Sequence, residues 1–372
     1  MKGLYIHVPF CHSRCIYCDF FSTTSGKEQR EQYVQTLCKE IGERRNYGGA
    51  PRLASIYLGG GTPSTLSAEQ LALIFQTIGQ HYSLCPDAEI TLEANPDDVV
   101  PSFVEAIKAL PINRVSLGIQ TFDDEILKLL RRRHSTAQAK EAVRLLHSSG
   151  IENISIDLIY GLPGQGMDHW EADLEQMAQL PIAHLSAYAL IYEEGTPIEK
   201  MRQRGTVKEA AEELSLAMYR RLISKTREMG MKHYEISNFA MPGLEAKHNS
   251  SYWDNKPYVG CGPGAHSYDG TRRRFNLPEL NAYCNGDIRF TTEELTPEER
   301  FNERIMTALR TCQGLNLSEL ESEFSHERRN ALLESAASYI RKGLMAVDNE
   351  RLLITQEGIF LSDMIISDLM MV

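Results

Sequence analysis

The chain has 372 residues, 42% of them hydrophobic, and a formal net charge of -11. Its length exceeds one average domain, so a large domain over 1–290 and a smaller appendage over 291–372 are expected. The acidic balance argues against a nucleic-acid or anionic-membrane binder, which would carry a basic field, and no apolar run reaches transmembrane length.

The chain opens with Met-Lys-Gly and a strand-like run, Leu4 to Val8, without a secretory signal, so a reducing cytoplasmic compartment is expected. Directly after it stand Cys11, Cys15 and Cys18, spaced four and then three residues apart. A structural zinc site wants four ligands, usually as two separated pairs, and no second CxxC pair exists; disulfides do not suit the compartment. Three thiolates in one loop can instead wrap a 4Fe-4S cluster and leave one iron open to a substrate or cofactor. Cys38, Cys85, Cys261, Cys284 and Cys312 are scattered and read as buried free thiols.

Further along, β-branched runs at Ala54 to Leu58, Glu89 to Leu92, Arg114 to Ile119, Ile154 to Ile159 and His184 to Leu190 predict strands. Helix-patterned segments lie between them, at Glu28 to Arg44, Ala68 to His81, Val99 to Leu110, Asp123 to Leu130, Thr136 to Ser148 and Asp168 to Gln179. This alternation predicts parallel βαβ units, an α/β fold built as a full or partial (β/α)6 barrel. The strands end in the three cysteines, in Gly59-Gly60-Gly61-Thr62-Pro63, in Glu93-Ala94-Asn95-Pro96, in Gln120 and around Asp157. Each alone reads as a turn or cap; in βα barrels such strand ends converge on one site. The glycine run lacks phosphate-loop spacing and offers bare backbone N–H and C=O groups instead.

Three later stretches stand apart. Residues Tyr258 to Ser267 read as a glycine-rich turn, a tight loop closing the barrel mouth; a functional alternative makes His266 or Cys261 an iron ligand and Arg272-Arg273-Arg274 a partner for carboxylates. From Pro297 on, helices are predicted over Glu298 to Thr311, Leu317 to Phe324 and Arg328 to Lys342, then a hairpin of Leu344 to Asp348 and Arg351 to Thr355, with Ile365 to Val372 packed against it. That is a helical, winged-helix-like appendage. Glu319, Glu321, Glu323 and Glu327 make it a packing or partner-docking module rather than a DNA reader.

Cys11-xxx-Cys15-xx-Cys18, with Tyr17 before the last cysteine, resembles the signature of the radical S-adenosylmethionine (SAM) superfamily. The resemblance implies that SAM chelates the fourth iron, that a flavodoxin or ferredoxin supplies an electron, and that Tyr5, Tyr17, Gly60, Gly61, Thr62, Glu93, Gln120, Arg132 and Asp157 contact SAM. Glu93 and Asp157 can accept from ribose hydroxyls or an ammonium group, and one of Arg131, Arg132 and Arg133 can pair with the carboxylate; which of them points inward stays open. Tyr5 to Cys11, Gly59 to Pro63 and Ile156 to Pro163 together resemble the oxygen-independent coproporphyrinogen III oxidase family over most of the chain. Those oxidases continue the motif to a fourth cysteine, where this chain has Phe20. The departure points to the oxidase-like heme chaperone branch. His248-Asn249-Ser250-Ser251-Tyr252-Trp253 is similar to that branch's HNxxYW heme motif. It implies heme and heme-accepting proteins as partners, with His248 as axial ligand, Asn249 orienting it, and Tyr252 and Trp253 offering flat area for the porphyrin; the bland alternative is a strand with a core aromatic pair and a hydrogen-bonded histidine.

Overall fold

A computed structural model describes residues 2–371. Six parallel strands lie side by side in chain order: β1 (Lys2–Val8), β2 (Arg52–Gly60), β3 (Ser83–Ala94), β4 (Arg114–Gln120), β5 (Asn153–Tyr160) and β6 (His184–Ala189). They alternate with α1 (Lys27–Glu43), α2 (Ala68–His81), α3 (Pro101–Lys108), α4 (Asp124–Leu129), α5 (Thr136–Ser148) and α6 (Met167–Ala178). Helices α2 and α5 begin where the periodicity places them, because Ser67 with Gln70 and Ser135 with Gln138 form capping boxes.

After β6 the chain forms α7 (Pro197–Gln203) and α8 (Glu212–Glu228), then β7 (Lys232–Glu235) and β8 (Asn238–Ala240), with β8 antiparallel to β6. A short helix, α9 (Lys247–Trp253), leads into β9 (Tyr258–Cys261), which crosses the sheet to pair in parallel with β1. β10 (His266–Tyr268), β11 (Arg272–Asn276), α10 (Leu280–Cys284) and β12 (Phe290–Glu294) extend that edge, completing an open sheet of 12 strands. The expected barrel is therefore partial: its two ends do not meet.

The turn expected over Tyr258 to Ser267 is instead two strands around a tight Gly262-Pro263-Gly264 bend. Non-local pairing decides this, since β9 takes its register from β1, and a Cβ at Gly260 would lie 1.9 Å from the His266 carbonyl oxygen. Glu40 of α1, 1% exposed, locks the bend in place. It accepts from the Gly262 amide at 2.9 Å, Asn276 Nδ2 at 2.7 Å and the Tyr283 hydroxyl at 2.8 Å, with Arg44 at 3.5 Å. Glu40→Ala strands these buried donors and one cation, and is expected to cost about 3–5 kcal/mol. Urea unfolding measures it; an unchanged midpoint would contradict this account.

The sheet sorts its side chains by alternation. In β4, Val115, Leu117 and Ile119 are fully buried in the main hydrophobic core under the helices, whereas Arg114, Ser116, Gly118 and Gln120 face the concave side. Closed βα barrels fill that side with Val, Ile and Leu layers. Here it carries Tyr57, Glu93, Ser116, Asp157 and Ser186, groups that cannot pack without polar partners, and a cavity of about 460 Å³ remains.

The second core begins at Phe301. Helices α11 (Pro297–Ala308), α12 (Leu317–Glu323), α13 (His326–Arg341) and α14 (Ser362–Leu369) surround it with β13 (Leu315–Asn316), β14 (Met345–Asp348) and β15 (Arg351–Ile354). The expected hairpin is a three-stranded sheet, because β15 also pairs with β13. Ile365, Ile366 and Leu369 pack into this core; Val372 lies outside the described residues.

Candidate functional site

The loop between β1 and α1 presents Cys11, Cys15 and Cys18 at the mouth of the cavity, none of them disulfide-bonded. Its ends are fixed by backbone bonds from Cys11 N to Thr23 O at 2.8 Å and from Thr23 N to Pro9 O at 2.7 Å. Its middle is nailed down by Ile16, which is 3% exposed and packs with Ile126, Leu130, Ile159 and Ile198. Apolar anchors thus hold the intervening thiols half-exposed. Cys11 Sγ accepts from the Thr62 hydroxyl at 3.5 Å and Cys15 Sγ from Arg132 Nη1 at 3.4 Å. Burial raises the Cys11 thiol pKa and pushes Cys18 up to about 11, which a bound cationic centre would reverse.

This donor set fits an iron-sulfur cluster. Three sulfurs border one cavity, two of them receive hydrogen bonds of the kind that tune such clusters, and no fourth cysteine lines the space. Among the described residues no His, Cys, Asp or Glu trio is grouped to hold a single metal ion. A cubane does not ask for that, because each thiolate takes a different iron.

The glycine run sits against this loop more tightly than its flexibility alone suggests. A Cβ at Gly61 would lie 2.8 Å from the Phe10 carbonyl oxygen, and Gly60, at φ +107°, has the His7 ring 2.6 Å from its Cβ position. The amides of Gly60, Gly61 and Thr62 are already spent on Glu93, Val8 O and Phe10 O. The expectation of bare N–H groups is corrected: the Glu93 carboxylate and the carbonyls of Val8 and Phe10 consume them.

Eight of the nine predicted SAM contacts line the cavity: Tyr17, Gly60, Gly61, Thr62, Glu93, Gln120, Arg132 and Asp157. Tyr5 does not; its hydroxyl bonds His7 Nδ1 at 3.1 Å and its ring stands behind Tyr57. Burial pushes the Glu93 carboxyl up to about 7 despite a 2.6 Å bond from the Tyr57 hydroxyl. Burial likewise pushes Asp157 up to about 6, opposed by hydrogen bonding from Ser186 and the charge of Arg114. Gln120 ends β4 at φ +73°, a left-handed conformation unusual outside glycine, held beside a register shift against β5.

The arginine trio is resolved by its partners. Arg132 turns inward, donating to Cys15 Sγ, to Asn95 Oδ1 at 2.8 Å and to the Gly118 carbonyl. Arg133 pairs with Asp97 and Asp98, which ties this segment to the loop after β3.

The HNxxYW stretch is α9, a helix rather than a strand, seated against β2 and β3. The Lys247 and His248 amides donate to the two oxygens of Glu89 at 2.9 and 3.0 Å. His248 is 1% exposed; its Nδ1 is bonded to Ser55 Oγ and its Nε2 to the Tyr252 hydroxyl, both at 2.8 Å. Tyr57 stacks on its face at 5.2 Å. As folded these residues do not fit a heme: neither imidazole nitrogen is free for iron, and the Tyr252 ring is packed edge-on between His248 and Tyr258. Asn249 alone of the four lines the cavity. Of the two alternate iron ligands expected for this half of the chain, Cys261 is fully buried, while His266 is exposed and stacks on Phe275 at 5.3 Å. Arg272 and Arg273 are paired with Glu294 and Glu303, and Arg274 lies over the Phe290 ring.

Sequence reasoning passed over Arg114, the first residue of β4, which reaches the cavity from below. Counting back from Gln120 in steps of two identifies it.

An open parallel sheet with three thiols at the C-terminal strand ends and a polar cavity beneath them defines a radical SAM protein, and residues 5–177 match the model of the Radical SAM superfamily. Residues 295–361 match the HemN C-terminal domain. A Lactococcus lactis protein named heme chaperone HemW is 34% identical over 96% of this chain and 94% of its own. The Bacillus subtilis protein of that name is 34% identical over 96% of each chain. The chain belongs to the HemW family. A bovine protein named radical S-adenosyl methionine domain-containing protein 1, mitochondrial, is 34% identical over 86% of this chain and 70% of its own. The solved structure of Escherichia coli coproporphyrinogen III oxidase, HemN, superposes with a TM-score of 0.85 over 99% of this chain and 89% of that one, at 23% identity, and so shares the fold. Membership of the superfamily implies a 4Fe-4S cluster and SAM.

Proposed function

We propose that the protein is a heme chaperone, binding heme and passing it to acceptor proteins, and that it carries one 4Fe-4S cluster on Cys11, Cys15 and Cys18 with exchangeable SAM. The observation that carries this reading is the near full-length likeness to proteins named heme chaperones. Phe20 supports it, 63% exposed beside the cluster loop where the oxidases continue with cysteine. When bound and reduced, the cluster with SAM supplies one-electron cleavage of a carbon–sulfur bond. The chain's own part is positional. Arg132 pairs with the SAM carboxylate, Asp157 and Gln120 hold the ribose, Glu93 takes the ammonium group, and Tyr17, Gly60, Gly61 and Thr62 wall the site from water. Tyr5 acts from behind by supporting Tyr57.

For heme, His248, Tyr252 and Trp253 become contacts only once α9 has left β2, whereas Asn249 already faces the cavity. The unit over 291–372, joined to 1–290 through the strand Phe290–Glu294, serves as a docking module, and the protein works in the cytoplasm with a flavodoxin or ferredoxin as electron donor. No helix among the described residues is long and apolar enough to cross a membrane.

The second reading is decarboxylation of coproporphyrinogen III, favoured by the shared fold with HemN. Anaerobic protein separates the two. Saturable heme binding, followed by transfer to an apo heme protein, is expected; absence of binding would sink the chaperone reading. Coproporphyrinogen III with SAM and a reductant is expected to give no protoporphyrinogen IX, and its formation would establish the second reading.

A further inference from the structure

The closed end of the cavity holds a charge the proposed SAM contacts do not use. Arg114 is 2% exposed, lines the cavity, and its Nε is buried without a partner. Among the described residues no hydrogen bond or ion pair of its guanidinium to a protein group is formed at all. The neighbouring carboxylates are engaged elsewhere: Glu93 with Tyr57 and the Gly60 amide, Asp157 with Ser116 at 3.4 Å. A guanidinium has five N–H donors in a rigid fork that matches a carboxylate, and leaving it buried and unpaired is costly.

Asn249 reaches the same space from α9, with no hydrogen-bond partner for its amide among the described residues. Thr91, in register beside Arg114 on β3, keeps a buried hydroxyl without a partner as well. Arg114 and Asn249, from two elements, thus meet at the cavity with hydrogen-bonding capacity unspent, and Thr91 lies beside Arg114 in the sheet.

We propose that this floor is a separate carboxylate subsite, in which Arg114 grips the two oxygens of a carboxylate and Asn249 donates a third hydrogen bond. It deepens the reading of the cavity as a ligand site, for it gives the motif's asparagine a part in holding the ligand and assigns a cavity ligand a carboxylate arm. Arg132 and Arg114 then divide the labour: the upper arginine takes the carboxylate of SAM, the lower one a different carboxylate.

The probe is propionate labelled with carbon-13 at its carboxyl, titrated into purified full-length protein and followed by NMR line broadening, with and without saturating SAM. Saturable binding is expected in the wild type, within about twofold of the same affinity when SAM is present, and at least tenfold weaker in Arg114→Met. Arg114→Lys should fall between the two. Equal binding by wild type and Arg114→Met, no saturable binding, or complete displacement by SAM each overturns the subsite. Should Arg114→Met fail to fold, Asn249→Ala decides, with a severalfold loss expected and no change overturning the proposal. SAM binding to the wild type, measured in parallel by calorimetry, tests the SAM reading separately, so either can fail alone.

Discussion

Cys15→Ala is expected to strip the protein of its cluster and leave the fold standing. Reconstituted wild type should be brown and hold close to four irons per chain, as a cubane requires; the variant should be colourless with iron near background. The loop does not need the thiol to keep its shape, because Ile16 N donates to Leu130 O at 3.3 Å, Ile198 N donates to Ile16 O at 3.0 Å, and the Ile16 side chain stays in its apolar cluster. The stability change is therefore expected below about 1 kcal/mol, in the range of substitutions that leave no cavity and no buried unpaired group. Arg132 loses one acceptor but keeps Asn95 and Gly118. Heme titration of the same variant should match wild type if α9 and the cluster loop are separate sites. Full iron content in Cys15→Ala would remove the cluster assignment.

His248→Ala is the second, with a different signature. The ring fills space between Ser55, Tyr57 and Tyr252, and its loss orphans two buried hydroxyls, so unfolding free energy should fall by about 2–4 kcal/mol. Heme affinity or the heme spectrum should change too; an unchanged spectrum and affinity would rule His248 out as the ligand. A pH series adds a further test. Burial, then the charge of Arg114, lowers the His248 pKa to about 3, well below the ordinary 6.5. The unfolded chain thus takes up the proton first as pH falls. The stability His248 contributes is complete above about 6.5 and drains away between 6.5 and 3. His248→Gln should flatten that acid limb without abolishing it, since burial also lowers His134, to about 4, along with His7, His184 and His233.

How much of this was legible depends on whether the information is local. The strands β1 to β6 and the helices between them follow from periodicity and caps, and the three thiols from their spacing. The helix α9 was not legible as such, because His248-Asn249-Ser250-Ser251 has weak helix formers; it is held by Glu89 at its N-terminus and by Ser55, both distant in sequence. Strand β9 was missed for the same reason, its partner β1 lying some 250 residues earlier. Arg114 was missed because an arginine opening a strand looks like a solvated end until the sheet curls over it.

The amino-acid sequence by itself determined the class of scaffold, the three thiols at the cavity and most of the residues that ring it, since each is set by spacing along one segment. Only the tertiary structure decided which arginine of three turns inward, that the amides of Gly60 and Gly61 are consumed by Glu93 and the Val8 carbonyl, that His248 is closed off while Asn249 opens to the cavity, and that Arg114 waits unpaired beneath. Those outcomes turn on which groups compete for the same few buried partners, and that competition exists only after distant strands have been brought together.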